Sequence, residues 1–188
     1  MIRILGLALA IAGLGTPAMA ATLIGKTASV AYFLPDTSTV YPQAVPDPGS
    51  FTIGSGIEST VNVEGVTFLD VDFGAKSLTV LFNTVLTNPT WNSAPFNGLR
   101  FSGNAISQIN SVSVDPSTTL PGFSNARVTN SGGVLGLDWN GITYADGQKV
   151  TLNFGTVPEP MVWVQLLAGF ALIGVVARGK PKASTALA

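Results

Sequence analysis

The feature that most constrains this chain is the spacing of its apolar residues. Between residues 21 and 157 no segment keeps a 3.6-residue apolar period for three turns, whereas several alternate with a period of two. Leu78, Val80 and Phe82 share one face of such a run, and Thr79 and Asn83 take the other. Runs rich in Val, Ile, Thr and Phe lie at 27–34, 57–64, 66–73, 78–86, 99–101, 106–114, 127–129, 134–139 and 149–154. Asn97-Gly98, Asn140-Gly141 and Asp146-Gly147 read as hairpin-type turns, where a positive φ is tolerated. Residues 41–50 (Pro42, Pro46, Pro48, Gly49) and 88–97 (Pro89, Pro95) read as loops. Short strands at this spacing predict an all-β domain over 21–156: a single β-sandwich, with a jelly-roll-like form or an open barrel as the alternative. Lys76 and Lys149 are expected to guard sheet edges.

Composition divides the chain into three parts. Hydrophobic residues make up 46% of the whole, yet residues 1–20 and 161–177 are apolar at 28 of 37 positions and residues 21–157 at only 55 of 137. The middle is therefore ordinary for a soluble domain. It carries nine acids against five bases, a net charge of −4 without any basic run, which argues against nucleic-acid binding. With no Cys there are no disulfides or thiol nucleophiles, and with no His there is no imidazole for zinc or for a Ser-His-Asp triad. Neither a G-x-S-x-G elbow nor a P-loop is present, and Gly54-Ser55-Gly56 opens no helix.

The N-terminus has the form of an export signal. Arg3 supplies positive charge, Ile4 to Leu14 form an apolar run of 11 residues, and Gly15-Thr16-Pro17 break it. Ala18 and Ala20 then present the small side chains that signal peptidase requires, so cleavage is expected after Ala20. As a helix the run would span about 16 Å, too short for a bilayer.

At the other end, Pro158-Glu159-Pro160 precede 17 largely apolar residues, 161–177, which reach about 26 Å as a helix. Trp163 stands near the outer boundary, and Arg178, Lys180 and Lys182 lie beyond the inner one, as an aromatic belt and the positive-inside rule require. With Gly169-Phe170 and Gly174, these residues resemble the PEP-CTERM sorting domain of bacterial exported proteins. The resemblance covers roughly residues 157–180, within a sorting signal at 157–182 that has a transmembrane helix at 161–177 and is followed by a cytoplasmic tail at 183–188. Gly179 and Pro181 space the basic residues apart, where the family has a tight Arg-rich cluster. The resemblance implies a substrate of an exosortase, a membrane enzyme that recognises the P-E-P region and removes the tail. The chain would be held in the inner membrane as an intermediate, then reach the cell surface or the exopolysaccharide matrix. Phe96-Asn97-Gly98-x-x-Phe101-Ser102 also resembles a piece of the middle domains of such proteins, which bears on fold rather than activity.

Two constellations in the middle could carry chemistry. Asp70 and Asp72, two apart on a strand, put both carboxylates on one face about 7 Å apart. With Glu58 or Glu64 brought near by a hairpin they would suit calcium or a glycosidase-type carboxylate pair; otherwise they are solvent-facing acids. Thr90-Trp91-Asn92 and Asp138-Trp139-Asn140 set Trp91 and Trp139 beside amides, as in carbohydrate-binding surfaces, or as caps on the core of a sandwich. Tyr32, Tyr41 and Tyr144 have no assigned place. The expected protein is therefore exported and non-enzymatic, structural or matrix-associated, and processed by signal peptidase and an exosortase. It needs no cofactor unless Asp70 and Asp72 hold calcium. The alternatives are a carbohydrate-binding module for the matrix polysaccharide and a carboxylate-dependent hydrolase.

Overall fold

A computed structural model describes residues 22–156. The segment with Ala18 and Ala20, and the sorting segment with Pro158, Glu159, Pro160, Trp163 and Arg178, lie outside the described residues, as do the run 161–177 and the tail 183–188.

Eleven strands build the domain: β1 (Thr27–Phe33), β2 (Ala44–Asp47), β3 (Ser50–Thr52), β4 (Ser59–Val63), β5 (Thr67–Phe73), β6 (Ser77–Thr84), β7 (Gly98–Ser102), β8 (Ile109–Val114), β9 (Val128–Ser131), β10 (Val134–Asp138) and β11 (Gln148–Thr156). They form two antiparallel sheets, ordered β3-β1-β7-β10-β9 and β2-β4-β5-β6-β11-β8. One hydrophobic core draws on both sheets, the layout of a β-sandwich. Period-two alternation explains the inward faces. Leu69, Val71 and Phe73 of β5, Leu78, Val80 and Phe82 of β6, and Val150, Leu152 and Phe154 of β11 meet Val30, Tyr32, Leu99, Phe101, Leu135 and Leu137. Each such side chain contributes about 1.5–3 kcal/mol by leaving water.

The proline-rich stretch 41–50 differs from its expected loop, because it contains β2 and the start of β3. Both are edge strands with a single neighbour, so Pro46 opposite Val61 has no second ladder to break. The lysines do not guard edges: Lys149 lies in β11, between β6 and β8, and Lys76 lies in the β5–β6 turn.

The Phe96–Ser102 piece has a physical explanation. Asn97-Gly98 is no hairpin turn; Gly98 starts β7, and a Cβ there would come within 1.9 Å of the Leu137 carbonyl oxygen. Phe96 covers Gly136 and Phe101 enters the core.

The two ends of the domain differ in what meets there. Leu23 N donates to Ala75 O (2.9 Å) and Phe154 N to Lys76 O (2.8 Å), so the segment before β1 and the end of β11 meet the β5–β6 turn. The Glu64-Gly65 turn lies at the other end of β5, about 23 Å away at roughly 3.3 Å per residue.

Candidate functional site

At that far end, the loops after β1 and β6, the β4–β5 turn and the segment before β11 enclose an open cleft of about 130 Å³. Its floor is an aromatic cluster. Trp91 stacks on Tyr144 with centroids 4.6 Å apart and planes at 12°, and Tyr32 lies 5.8 Å from Trp91 and 6.1 Å from Trp139. Phe82 meets Trp139 edge-on at 5.2 Å.

A buried relay of hydrogen bonds fixes these rings. Trp139 Nε1 donates to Tyr32 Oη (2.8 Å), Tyr32 Oη donates to Asn97 Oδ1 (2.6 Å), and Asn97 Nδ2 donates to the Asn92 carbonyl (2.9 Å). The Asn97 backbone is also engaged, its N–H donating to Asp138 Oδ1 (3.1 Å) and its carbonyl accepting from Trp139 N (3.0 Å). Asn97 is buried, so each bond replaces solvation it has lost. Burial holds the Tyr32 phenol well above its ordinary range, and it remains a donor at neutral pH. Tyr144 is raised for the same reason, and its hydroxyl lies 2.7 Å from the Thr67 hydroxyl.

The rim is built differently. Asp36 Oδ1 accepts from Ser38 N (2.8 Å), Ser38 Oγ (2.7 Å) and Thr39 N (2.9 Å), which shapes the loop that delivers Tyr41. Those bonds, led by the Ser38 hydroxyl, lower the Asp36 carboxyl to about 2. Tyr41 donates a hydrogen bond to Glu64, which raises the Tyr41 phenol. Glu64 is the first of three residues, Glu64-Gly65-Val66, that join β4 to β5. Its φ is +56° and that of Gly65 is +71°, and Val66 N closes the turn on Val63 O at 3.2 Å. Gly or Asn is the ordinary choice there, because an L side chain is strained at such a φ. Among the described residues that line the cleft, Glu64 carries the charge. Trp91 Nε1 is buried without a hydrogen-bond partner among the described residues.

The two tryptophan motifs come together, with Trp91 N donating to Ile142 O (2.9 Å), Gly141 N to Trp91 O (3.0 Å), and the rings 6.0 Å apart. Neither ring is laid open for a sugar, however. Trp139 is 0% exposed and Trp91 8% exposed, so Trp139 is a core residue and Trp91 lines the cleft with little of its surface open. The physical reason is local: Asp138 accepts from Asn97 N, Asn140 N (3.0 Å) and Asn140 Nδ2 (2.5 Å), which turns the motif's polar groups inward on each other.

Asp70 and Asp72 lie on the outer face of β5, each half-buried. Asp70 accepts from Thr60 Oγ1 (2.7 Å) and Asn83 Nδ2 (2.7 Å) on its neighbouring strands. The hairpin expected to bring Glu58 and Glu64 near them does form, but it sends both elsewhere. Glu58 accepts from Gly54 N (2.9 Å) and Phe73 N (2.6 Å), and Glu64 goes to Tyr41. Among the described residues no three acids gather as a group able to hold a metal ion.

Sequence reasoning left Tyr32, Tyr41 and Tyr144 unplaced, read Asn97 as a turn residue and set Glu64 with Asp70 and Asp72 instead of with Tyr41. One signal was available: Glu64-Gly65 falls where two alternating runs meet, a place for a turn, with a glutamate where Asn or Gly is usual. No protein-family model matches this chain, and no curated protein or solved structure matches it either.

Proposed function

We propose that this chain is an exported bacterial protein, sorted by an exosortase to the cell surface or the exopolysaccharide matrix, where its central domain acts as a non-enzymatic, matrix-associated module. In this reading a β-sandwich over 21–156 is flanked by a signal-peptide helix and a transmembrane helix, both removed by processing. The observation that carries it is the joint presence of Ala18 and Ala20 after an apolar run with Pro158-Glu159-Pro160, Trp163 and Arg178 around another. The geometry of the domain agrees with the reading. β11 carries the chain out beside the β5–β6 turn, so processing just beyond Thr156 would leave the cleft at the opposite end undisturbed.

The test is replacement of Pro158, Glu159 and Pro160 by alanine. The variant should accumulate in the inner membrane with its tail attached. Release or surface display at parental levels would sink the sorting reading.

A further inference from the structure

The geometry points to the cleft as a binding site for one unit of a neutral saccharide, held through Glu64, Tyr41, Asn92 and the Trp91 indole N–H. Three features of the cleft lead there.

The first is the backbone at Glu64. A turn with positive φ at both central residues is relaxed with Asn-Gly or Gly-Gly and strained with Glu first. What the glutamate adds, and Asn or Gly would not, is a carboxylate long enough to reach Tyr41 at the rim of the cleft. Strain accepted for the sake of a side chain marks that side chain as one with a task. Second, Trp91 Nε1 is a buried donor with no partner among the described residues, on a ring that lines the same cleft. Nε1 itself has almost no accessible surface, so a ligand hydroxyl supplies the missing acceptor only when the ring edge shifts to admit it.

The third feature is the mixture of groups. Glu64 accepts, the Trp91 N–H donates, and Tyr41 and the exposed Asn92 do both. A sugar hydroxyl also donates and accepts, so neighbouring hydroxyls on one ring can satisfy all of these. An alkylammonium ion would use the carboxylate and the ring edges but leave the Trp91 donor unanswered. An anionic sugar would bring its charge against Glu64 with no lining cation to offset it. The edges of Trp91 and Tyr144 then meet the C–H faces of the sugar instead of stacking on them broadly, which fits their slight exposure of 8% and 4%.

The choice of a saccharide among hydroxyl-bearing ligands rests on the matrix reading; the cleft itself does not. The experiment is isothermal titration of the full chain, kept in a detergent without sugar groups, against cellohexaose, maltohexaose, mannohexaose and xylohexaose. Choline and a hexuronate oligomer serve as the cationic and anionic probes. One of the neutral oligosaccharides should bind with 1:1 stoichiometry. Glu64→Gln and, separately, Asn92→Ala should each weaken it about tenfold, the loss of one hydrogen bond to a charged or polar group, with an unchanged unfolding midpoint. Binding by none of the four, equal binding by both variants, or preference for choline or the hexuronate would overturn the inference. The localisation of the alanine-replaced sorting variant is read separately, so failure of one proposal leaves the result for the other intact.

Discussion

The two ends of this domain solve one packing problem in different ways. At the end where the chain enters and leaves, Phe73 lies 5.4 Å from Phe101, 6.0 Å from Phe51 and 6.3 Å from Phe154, and the nearby acid Glu58 is tied to two backbone amides. That end is held by apolar area. At the cleft end the rings carry polar atoms, and Trp139, Tyr32, Asn97 and Asn92 are joined by directional bonds. Apolar packing tolerates slippage, whereas a relay of fully engaged donors and acceptors fixes each ring in place. The strained Glu64 and the unpartnered Trp91 N–H sit at this second, better-positioned end. Directional bonding is concentrated at the end that carries the cleft.

Substitutions can break or sharpen this contrast. The largest effect is expected at the apolar end: Phe73→Ala should cost about 3–5 kcal/mol in denaturant unfolding, because it removes a fully buried ring. At the cleft end Asn97→Ala removes little area yet should cost about 2–3 kcal/mol, since it strands the Tyr32 hydroxyl and the donors around it. If Asn97→Ala behaved like a surface substitution, the cleft end would be held by packing too, and the contrast would collapse.

Alkaline pH acts on the cleft end in particular. Burial raises the Tyr32 phenol above its ordinary 10.0, so the native state keeps a proton that the unfolded chain releases. This contribution is complete below pH 10 and is lost as pH rises beyond it; Tyr41, through Glu64, and Tyr144, through burial, add in the same direction. Unfolding midpoints measured from pH 8 to about 11 should fall more gently in Tyr32→Phe than in the parent.

The smallest effects have the opposite sign. Glu64→Gly should raise stability by up to about 1 kcal/mol, because glycine relieves the positive φ. Ser59→Ala should do the same to a similar extent, since the Ser59 hydroxyl is buried without a partner among the described residues. A destabilised Glu64→Gly would mean that the glutamate serves the fold, and the functional meaning of its strain would be lost.

Much of the strand framework was legible because alternation survives burial on one face. The run 66–73 and strand β5 at Thr67–Phe73 differ by one residue, and the inward set Leu78, Val80 and Phe82 is the one its spacing indicates. The edge strands were not legible, since Pro46 and Pro48 carry the signal of a loop wherever the neighbour count is unknown. The cleft was least legible. Tyr32, Tyr41 and Tyr144 are 9 and 103 residues apart in the chain and converge only when two sheets close. Asn97-Gly98 carries the pattern of a turn, yet a close approach to Leu137 governs Gly98 and a buried relay governs Asn97. Trp139 stands among polar residues whose bonds turn inward, which local composition cannot reveal.

The delivery route proposed for the chain is open to one direct measurement: intact mass and terminal-peptide mass spectrometry of the protein recovered from outside the inner membrane. The expected product has its N-terminus at Ala21 and lacks residues 161–188. Recovery there of a chain that retains residues 1–20 or 161–177 would contradict the delivery route.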